Sequence, residues 1–274
     1  GYSGAWTAET SHDPFFPLLV AAPPVFVEET PEQKARRMAW FNQYDPQPAV
    51  ELYPTDGTTD DSMYGLLGVP AYTFELDDAF FQSCGSFEGD TLPKNINALR
   101  YSARALHAPY LLPKGPDTVV VDANGADLVA AGTSVDISAQ LDSSRFRQGN
   151  PTEPVYPIAS VNAYLDQLPW EASASAMAMT AADGAFDSNS ETATLSLSTT
   201  GWSSGRHFVH VQGVAASTGQ AGTPNAAYVD VAAAGDIATL SGTVTARDGG
   251  APLAASVTVS NAATGETRSA DTNP

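Results

Sequence analysis

The sequence predicts an α/β segment followed by all-β sandwich domains, and three observations predict it. A hydrophobic run at residues 69–76 lies between two segments of helical spacing, 31–44 and 93–106. After Pro116 the composition shifts to Ala, Ser, Thr, Val and Gly in short alternating runs. From Asp236 onward a second set of such runs begins. At 274 residues the chain has room for two or three domains.

The elements follow in order. Residues 31–44 place Glu29 and Glu32 at their start, then Lys34, Arg36 and Arg37, then Met38, Trp40 and Phe41. That is an amphipathic helix with acid at its positive end. Residues 53–64 are rich in turn formers, with Asp56-Gly57 as the clearest signal. Residues 69–76 read as a buried strand. Residues 93–106 repeat at helical spacing through Ile96, Ala98, Leu99, Tyr101 and Leu106, with Pro93 in the first turn. Helix, loop, buried strand and helix suit the edge of an α/β sheet with helices on both faces. Residues 109–116 hold three prolines and read as a linker.

Beyond it, strands are expected at 119–121, 134–139, 158–165, 192–197, 208–212 and 228–231, the spacing of an antiparallel sandwich. Residues 207–212 and 228–231 read as a closing hairpin. Residues 236–274 restart with 240–245 and 255–259, but 39 residues are too few to bury a core unaided.

Charge narrows the function. A net charge of -19 with only 12 Lys and Arg leaves little to neutralise phosphates, which argues against a nucleic-acid partner. The same acidity suits a secreted or salt-adapted protein. No membrane span is expected: the most apolar N-terminal stretch, 15–27, is broken by Pro17, Pro23 and Pro24. No basic segment followed by an apolar one opens the chain, so a signal peptide is expected to be absent or already removed. Cys84 is the single cysteine and is read either as a small buried hydrophobe or as paired with a cysteine outside this chain.

Chemistry concentrates at Glu75. A carboxylate inside a hydrophobic run is costly to desolvate unless something compensates it. A glutamate beside a metal-bound water acts as general base; the plainer reading is a strand-end Glu, solvated or paired with Arg. Tyr53 precedes Glu75 by 22 residues, and between them lie Asp60-Asp61-Ser62-Met63-Tyr64-Gly65 and Thr73-Phe74.

Together these segments resemble the C-terminal half of the catalytic domain of the zinc carboxypeptidases, the metallocarboxypeptidases related to pancreatic carboxypeptidases A and B and bacterial carboxypeptidase T. There a mobile tyrosine precedes a Gly-rich turn, an Asp-x-x-Tyr stretch and a strand ending Thr-Phe-Glu-Leu. The resemblance spans roughly residues 1–115 and implies a mixed sheet with helices on both faces. By resemblance Glu75 is the catalytic base, Tyr53 closes over the substrate's terminal carboxylate, and Tyr2 belongs to the substrate-binding residues. Asp60 falls at the base of the pocket for the C-terminal side chain, favouring Lys or Arg; the plainer reading of Asp60-Asp61 is an acidic surface turn.

The resemblance also implies Zn²⁺, held by a His-x-x-Glu pair and a later His. His12, His107, His207 and His210 form no such pattern, and His207 and His210 point to opposite faces of a strand. In the family the third zinc histidine is followed by a small residue and Tyr-Ser, as in Gly1-Tyr2-Ser3. The zinc ligands are therefore expected outside this chain, upstream of Gly1, and the chain alone is expected to be inactive. The domain reading is 1–115 as part of the catalytic domain, 116–235 as a β-sandwich, and 236–274 as the start of a transthyretin-like domain. The partners implied are a peptide or protein substrate and the N-terminal half of the catalytic domain. The location implied is secreted, extracellular or at the cell surface. The alternative is a non-catalytic binding or structural protein that uses its sandwiches for protein or glycan contacts.

Two weaker signals remain. Asp183, Asp187, Asn189 and Glu191 read either as a Ca²⁺ loop or as Asx-turn chemistry in a hairpin. Arg145, Arg147 and Arg206 read as surface residues.

Overall fold

The computed structural model describes residues 6–7, 31–52, 54, 57–76, 81–123, 128–147, 153–233, 235, 243–246, 251–260, 265 and 267–272. Residues up to Ala232 belong to one compact unit and 233–274 to a second. No helix is long and apolar enough to cross a membrane among the described residues.

The first unit begins with β1 (Trp6–Thr7), which pairs in parallel with β2 (Gln47–Pro48). Helix α1 (Pro31–Asn42) precedes β2, and the single turn α2 (Ala49–Leu52) follows it. Helix α3 (Thr59–Leu67) and a short α4 (Cys84–Ser86) lead through a π-turn into α5 (Leu92–Arg104). The helical spacing around Met38 and Ala98 is used as expected. Ala35, Met38, Ala98 and Tyr101 are fully packed between α1 and α5, and Phe146 of the sandwich closes the cluster. A buried polar rung crosses the two helices: Asn42 Nδ2 donates to Asn95 Oδ1 at 3.1 Å, and Asn95 Nδ2 donates to the Tyr44 hydroxyl at 3.0 Å.

The expected strand at 69–76 is not formed. Only an isolated bridge occurs, at Phe74, and Val69 and Leu76 are 47% and 48% exposed. Pro70 has no N–H to donate, and among the described residues no named strand pairs with the segment. Hydrophobicity sets the extended backbone, but a ladder needs a neighbour.

The rest of the unit is a β-sandwich. One sheet has the order β3 (Asp117–Asp122), β5 (Ser134–Asp142), β9 (Ser190–Ser198), β8 (Thr180–Ala181). The other runs β4 (Leu128–Ala130), β11 (Asn225–Ala232), β10 (Gly205–Ala215), β6 (Ile158–Leu165), β7 (Met177–Ala178). Pairing is antiparallel except between β11 and β4. Alternation sends Val135, Ile137, Ala139 and Leu141 of β5 inward to meet Val161 and Ala163 of β6 and Val209 and Val211 of β10 in one core. The hairpin of β10 and β11 pairs His207 with Val229 and Phe208 with Tyr228, as the sequence suggested. The overall architecture is β-rich and sandwich-like, with few helices.

Residues expected to be a linker are instead packed. Leu112 and Pro113 are buried in a single 3-10 turn (Leu112–Lys114). Gly115 and Gly222 then let two backbones cross: a Cβ on Gly222 would lie 1.8 Å from the Pro116 carbonyl oxygen. Arg104 locks the crossing. Its Nε donates to the Pro224 carbonyl at 2.6 Å, and its Nη2 reaches Asp117 Oδ1 at 2.8 Å and the Thr118 carbonyl at 2.7 Å. In the second unit β12 (Ser256–Ser260) and β13 (Thr267–Asp271) form an antiparallel hairpin with exposed side chains.

Candidate functional site

Helix α3 opens with a capping box. Thr58 Oγ1 accepts from the Asp61 N–H at 3.3 Å, and Asp61 Oδ2 accepts from the Thr58 N–H at 3.4 Å. Asp61 is thereby committed to the helix start. Asp60 is instead turned inward and is only 8% exposed, so the two acids do not form a solvated surface turn. The helix stops at Gly68, whose left-handed backbone (φ 64°) donates to the Tyr64 carbonyl at 2.9 Å, while Val69 N–H reaches the Met63 carbonyl at 3.2 Å. That stop turns the chain into the extended segment bearing Glu75.

Alternation within this segment decides where Glu75 goes. Tyr72 and Phe74 pack against the α1–α5 cluster, which leaves Thr73 and Glu75 on the other side. Lys34 of α1 sits over the Tyr72 ring at 5.2 Å. Burial lowers the Lys34 amine to about 8 and pushes the Tyr72 hydroxyl well up. Tyr110 is pushed up to about 12, chiefly by desolvation and then by nearby Tyr64. Glu75 is half-buried, and among the described residues no hydrogen bond or ion pair engages its carboxylate. Tyr53 and Tyr2 lie outside the described residues.

No group of three His, Cys, Asp or Glu side chains able to hold a metal ion occurs among the described residues. Among the described residues no ligand set forms for the zinc that the resemblance implies. Asp183 Oδ1 accepts from the Ala185 N–H at 3.4 Å, and Glu191 Oε1 accepts from Asp187 and Ser188 N–H at 3.0 and 2.7 Å, so that segment spends its oxygens on turn chemistry. Cys84 is exposed, against the buried reading. Arg145 is not a solvated surface residue: it pairs with fully buried Asp117 at 2.7 Å and lies over Trp40, Phe41 and Phe146. Arg206 makes a two-pronged pair with Asp230, both contacts at 2.8 Å.

A second cluster escaped sequence reasoning. His207 Nδ1 lies 2.6 Å from Asp166 Oδ2, and Nε2 lies 2.8 Å from the Ser203 carbonyl and 3.5 Å from Ser203 Oγ. The residue types are those of a nucleophilic triad, but the carbonyl, not the hydroxyl, holds Nε2. Two acceptors facing both ring nitrogens call for a doubly protonated ring. Accordingly the His207 pKa is raised, chiefly by Asp166 and then by the Ser203 carbonyl. The 41-residue separation of Asp166 and His207 gave no local signal.

No protein-family profile and no curated protein sequence matches the chain. Among solved structures, it is similar to the CARDB domain of a Pyrococcus furiosus protein in complex with di-metal ions, at 12% identity and a TM-score of 0.25, covering 43% of this chain and 94% of that one. It is similar to AvmM, which catalyses macrocyclization in alchivemycin A biosynthesis, at 13% identity and a TM-score of 0.27, covering 42% and 89%. Wild-type OgpA from Akkermansia muciniphila follows at 9% identity and a TM-score of 0.25, covering 42% and 25%. Likenesses this low carry no functional assignment.

Proposed function

We propose that residues 1–115 are part of the catalytic domain of a secreted zinc metallocarboxypeptidase, which removes C-terminal residues from peptides. The observation that carries the reading is the fixed spacing of Tyr53, Asp61-x-x-Tyr64-Gly65 and Thr73-Phe74-Glu75-Leu76. Its local geometry supports it: a capped helix, a glycine stop and an extended segment that leaves an unpaired carboxylate at Glu75. Glu75 takes a proton from the attacking water and returns it to the departing amine. Asp60 reads a basic C-terminal side chain, and Tyr53 and Tyr2 contact the substrate.

Surface supports the same reading. Leu66, Leu67, Val69, Leu76 and Leu99 are exposed, and Phe81 is 97% exposed. A finished domain rarely leaves so many large apolar side chains in water. In this reading the rest of the catalytic domain, with the metal ligands, covers them. The test is Glu75→Gln in the polypeptide extended through that half. Peptidase turnover is expected to fall at least about a hundredfold with metal content and folding intact. Near-normal turnover in Glu75→Gln overturns the assignment.

A further inference from the structure

The connection from β5 to β6 reaches out of the sandwich into the helical layer. Its base is tied down. The Ser144 N–H and hydroxyl both donate to Asp142 Oδ1 at 2.6 Å, and the Ser143 hydroxyl donates to the Tyr156 carbonyl at 2.6 Å. The Ser143 N–H donates to the Asn189 carbonyl, just before β9, at 2.8 Å. From this fixed base Arg145 and Phe146 meet α1 and α5. The Phe146 ring is 2% exposed, with its centroid 5.0 Å from that of Tyr101, 5.5 Å from Trp40 and 5.6 Å from Phe41. The Arg145 guanidinium lies over Trp40 and Phe41 at 4.9 and 5.1 Å, and it pairs with Asp117, which also holds Arg104 of α5.

The helices need that ring. At the centre of their cluster α1 and α5 contribute Ala35 and Ala98 beside Met38 and Tyr101. Alanines let two helices approach but leave space that something larger must fill. The sandwich supplies it as Phe146. Tyr72 and Phe74 pack against this same cluster, and Glu75 follows Phe74 directly. Apart from the single bridge at Phe74, no strand pairing holds residues 69–76 among the described residues. Packing of the Tyr72 and Phe74 rings is therefore what places Glu75.

We infer that Phe146 is a positioning residue for Glu75, acting through the α1–α5 cluster and the Tyr72 and Phe74 rings, so that the sandwich is a working part of the proposed catalytic site. A smaller side chain at 146 slackens the cluster and lets both rings shift, and the carboxylate moves with them. A base displaced by about 1 Å costs up to about a hundredfold in rate. The loss falls on kcat, because the base acts only in the transition state. Only this last step, from the place of Glu75 to catalysis, rests on the carboxypeptidase reading.

Two measurements test the role. In the 274-residue chain, chymotrypsin cuts after Tyr72 or Phe74 only when the ring leaves the cluster, and mass spectrometry reads the rate. Phe146→Leu should speed those two cuts at least about tenfold. Val161→Ala, in the sandwich core and outside this cluster, serves as a control matched by its urea midpoint and should leave them within about threefold. Should either variant not fold, Phe146→Met and Ile137→Val replace them. In the polypeptide extended through the zinc-ligand half, Phe146→Leu should lower kcat at least about tenfold, with KM within about threefold and metal content unchanged. Equal cutting in variant and control would overturn the positioning role, and so would faster cutting with an unchanged kcat. If the extended wild-type polypeptide shows no peptidase activity, the carboxypeptidase reading fails, and the cutting rates alone decide whether Phe146 places the segment.

Discussion

Arg37 on α1 and Glu153 before β6 form an ion pair buried on both sides. Nη2 and Nε lie 3.0 and 3.1 Å from Glu153 Oε2, and the side chains are 3% and 6% exposed. Arg37 also lies over the Phe146 ring at 4.9 Å and reaches the Tyr101 hydroxyl at 3.5 Å. One guanidinium thus ties both helices to the sandwich.

Breaking that pair from one side should be severe. Glu153→Ala leaves Arg37 buried beside an empty position, at an expected cost of about 3–5 kcal/mol. Replacing both, Arg37→Met with Glu153→Leu, should recover most of the loss, because desolvation then disappears for both partners. Urea denaturation of the two variants checks the order; a double variant as unstable as Glu153→Ala refutes it.

The crossing at Gly222 makes a second demand on the backbone. Gly222→Ala places a methyl 1.8 Å from the Pro116 carbonyl oxygen, and the nearest atoms are all Pro116 backbone, with no flexible side chain to yield. The expected loss is about 3 kcal/mol or more, the upper end for overpacking. Gly201 offers the contrast: φ is 84° but the space is open, so Gly201→Ala should cost only about 1–2 kcal/mol. Equal midpoints for the two variants in thermal melts would show that the crossing relaxes.

These contacts mark what the sequence could and could not show. Alternation in 134–139 placed β5 because inward and outward residues repeat every second position, and the same period runs through β6 from Val161. Helical spacing likewise found α1 and α5. The strand at 69–76 failed because composition reports burial tendency and not the presence of a neighbouring strand. The linker failed because Arg104 and the Gly115–Gly222 contact act over more than 100 residues, beyond any local pattern. At the proposed site, spacing and residue type single out Glu75 and Asp60 as candidates. The His207–Asp166 bracket was not legible, since neither residue is unusual in its own segment.

Lys34 predicts a pH effect on stability. Burial lowers its amine from 10.5 to about 8, so the folded state releases the proton first. Its contribution is complete above the unfolded value of 10.5 and is lost as pH falls through about 8. Wild-type stability from this group should therefore rise between pH 8 and 10.5. Lys34→Met should stabilise the chain at pH 7 by on the order of 2–3 kcal/mol and flatten that rise. Denaturation midpoints at pH 7 and 10 for both proteins test it; a destabilised Lys34→Met at pH 7 would show that the ammonium over Tyr72 outweighs its burial.

Asp60 predicts which substrates the proposed peptidase prefers. It is the buried acid of α3, one residue before the helix-capping Asp61 and seven after Tyr53. Because Asp61 is occupied at the helix start, Asp60 is the acid left for substrate in this reading. A guanidinium or ammonium at the substrate's C-terminal side chain would form a charge-assisted hydrogen bond with it. An apolar side chain would leave the acid desolvated and unpaired, a difference of roughly 1–3 kcal/mol, or about ten- to hundredfold in the specificity constant. Peptides differing only in their last residue, in competition with the enzyme extended through its zinc-ligand half, should favour Lys or Arg over Phe or Leu. Asp60→Ala should erase that preference while leaving turnover on Phe-ended peptides within about threefold, because the base at Glu75 is untouched. A preference for Phe-ended peptides that persists unchanged in Asp60→Ala would show that Asp60 does not read the substrate.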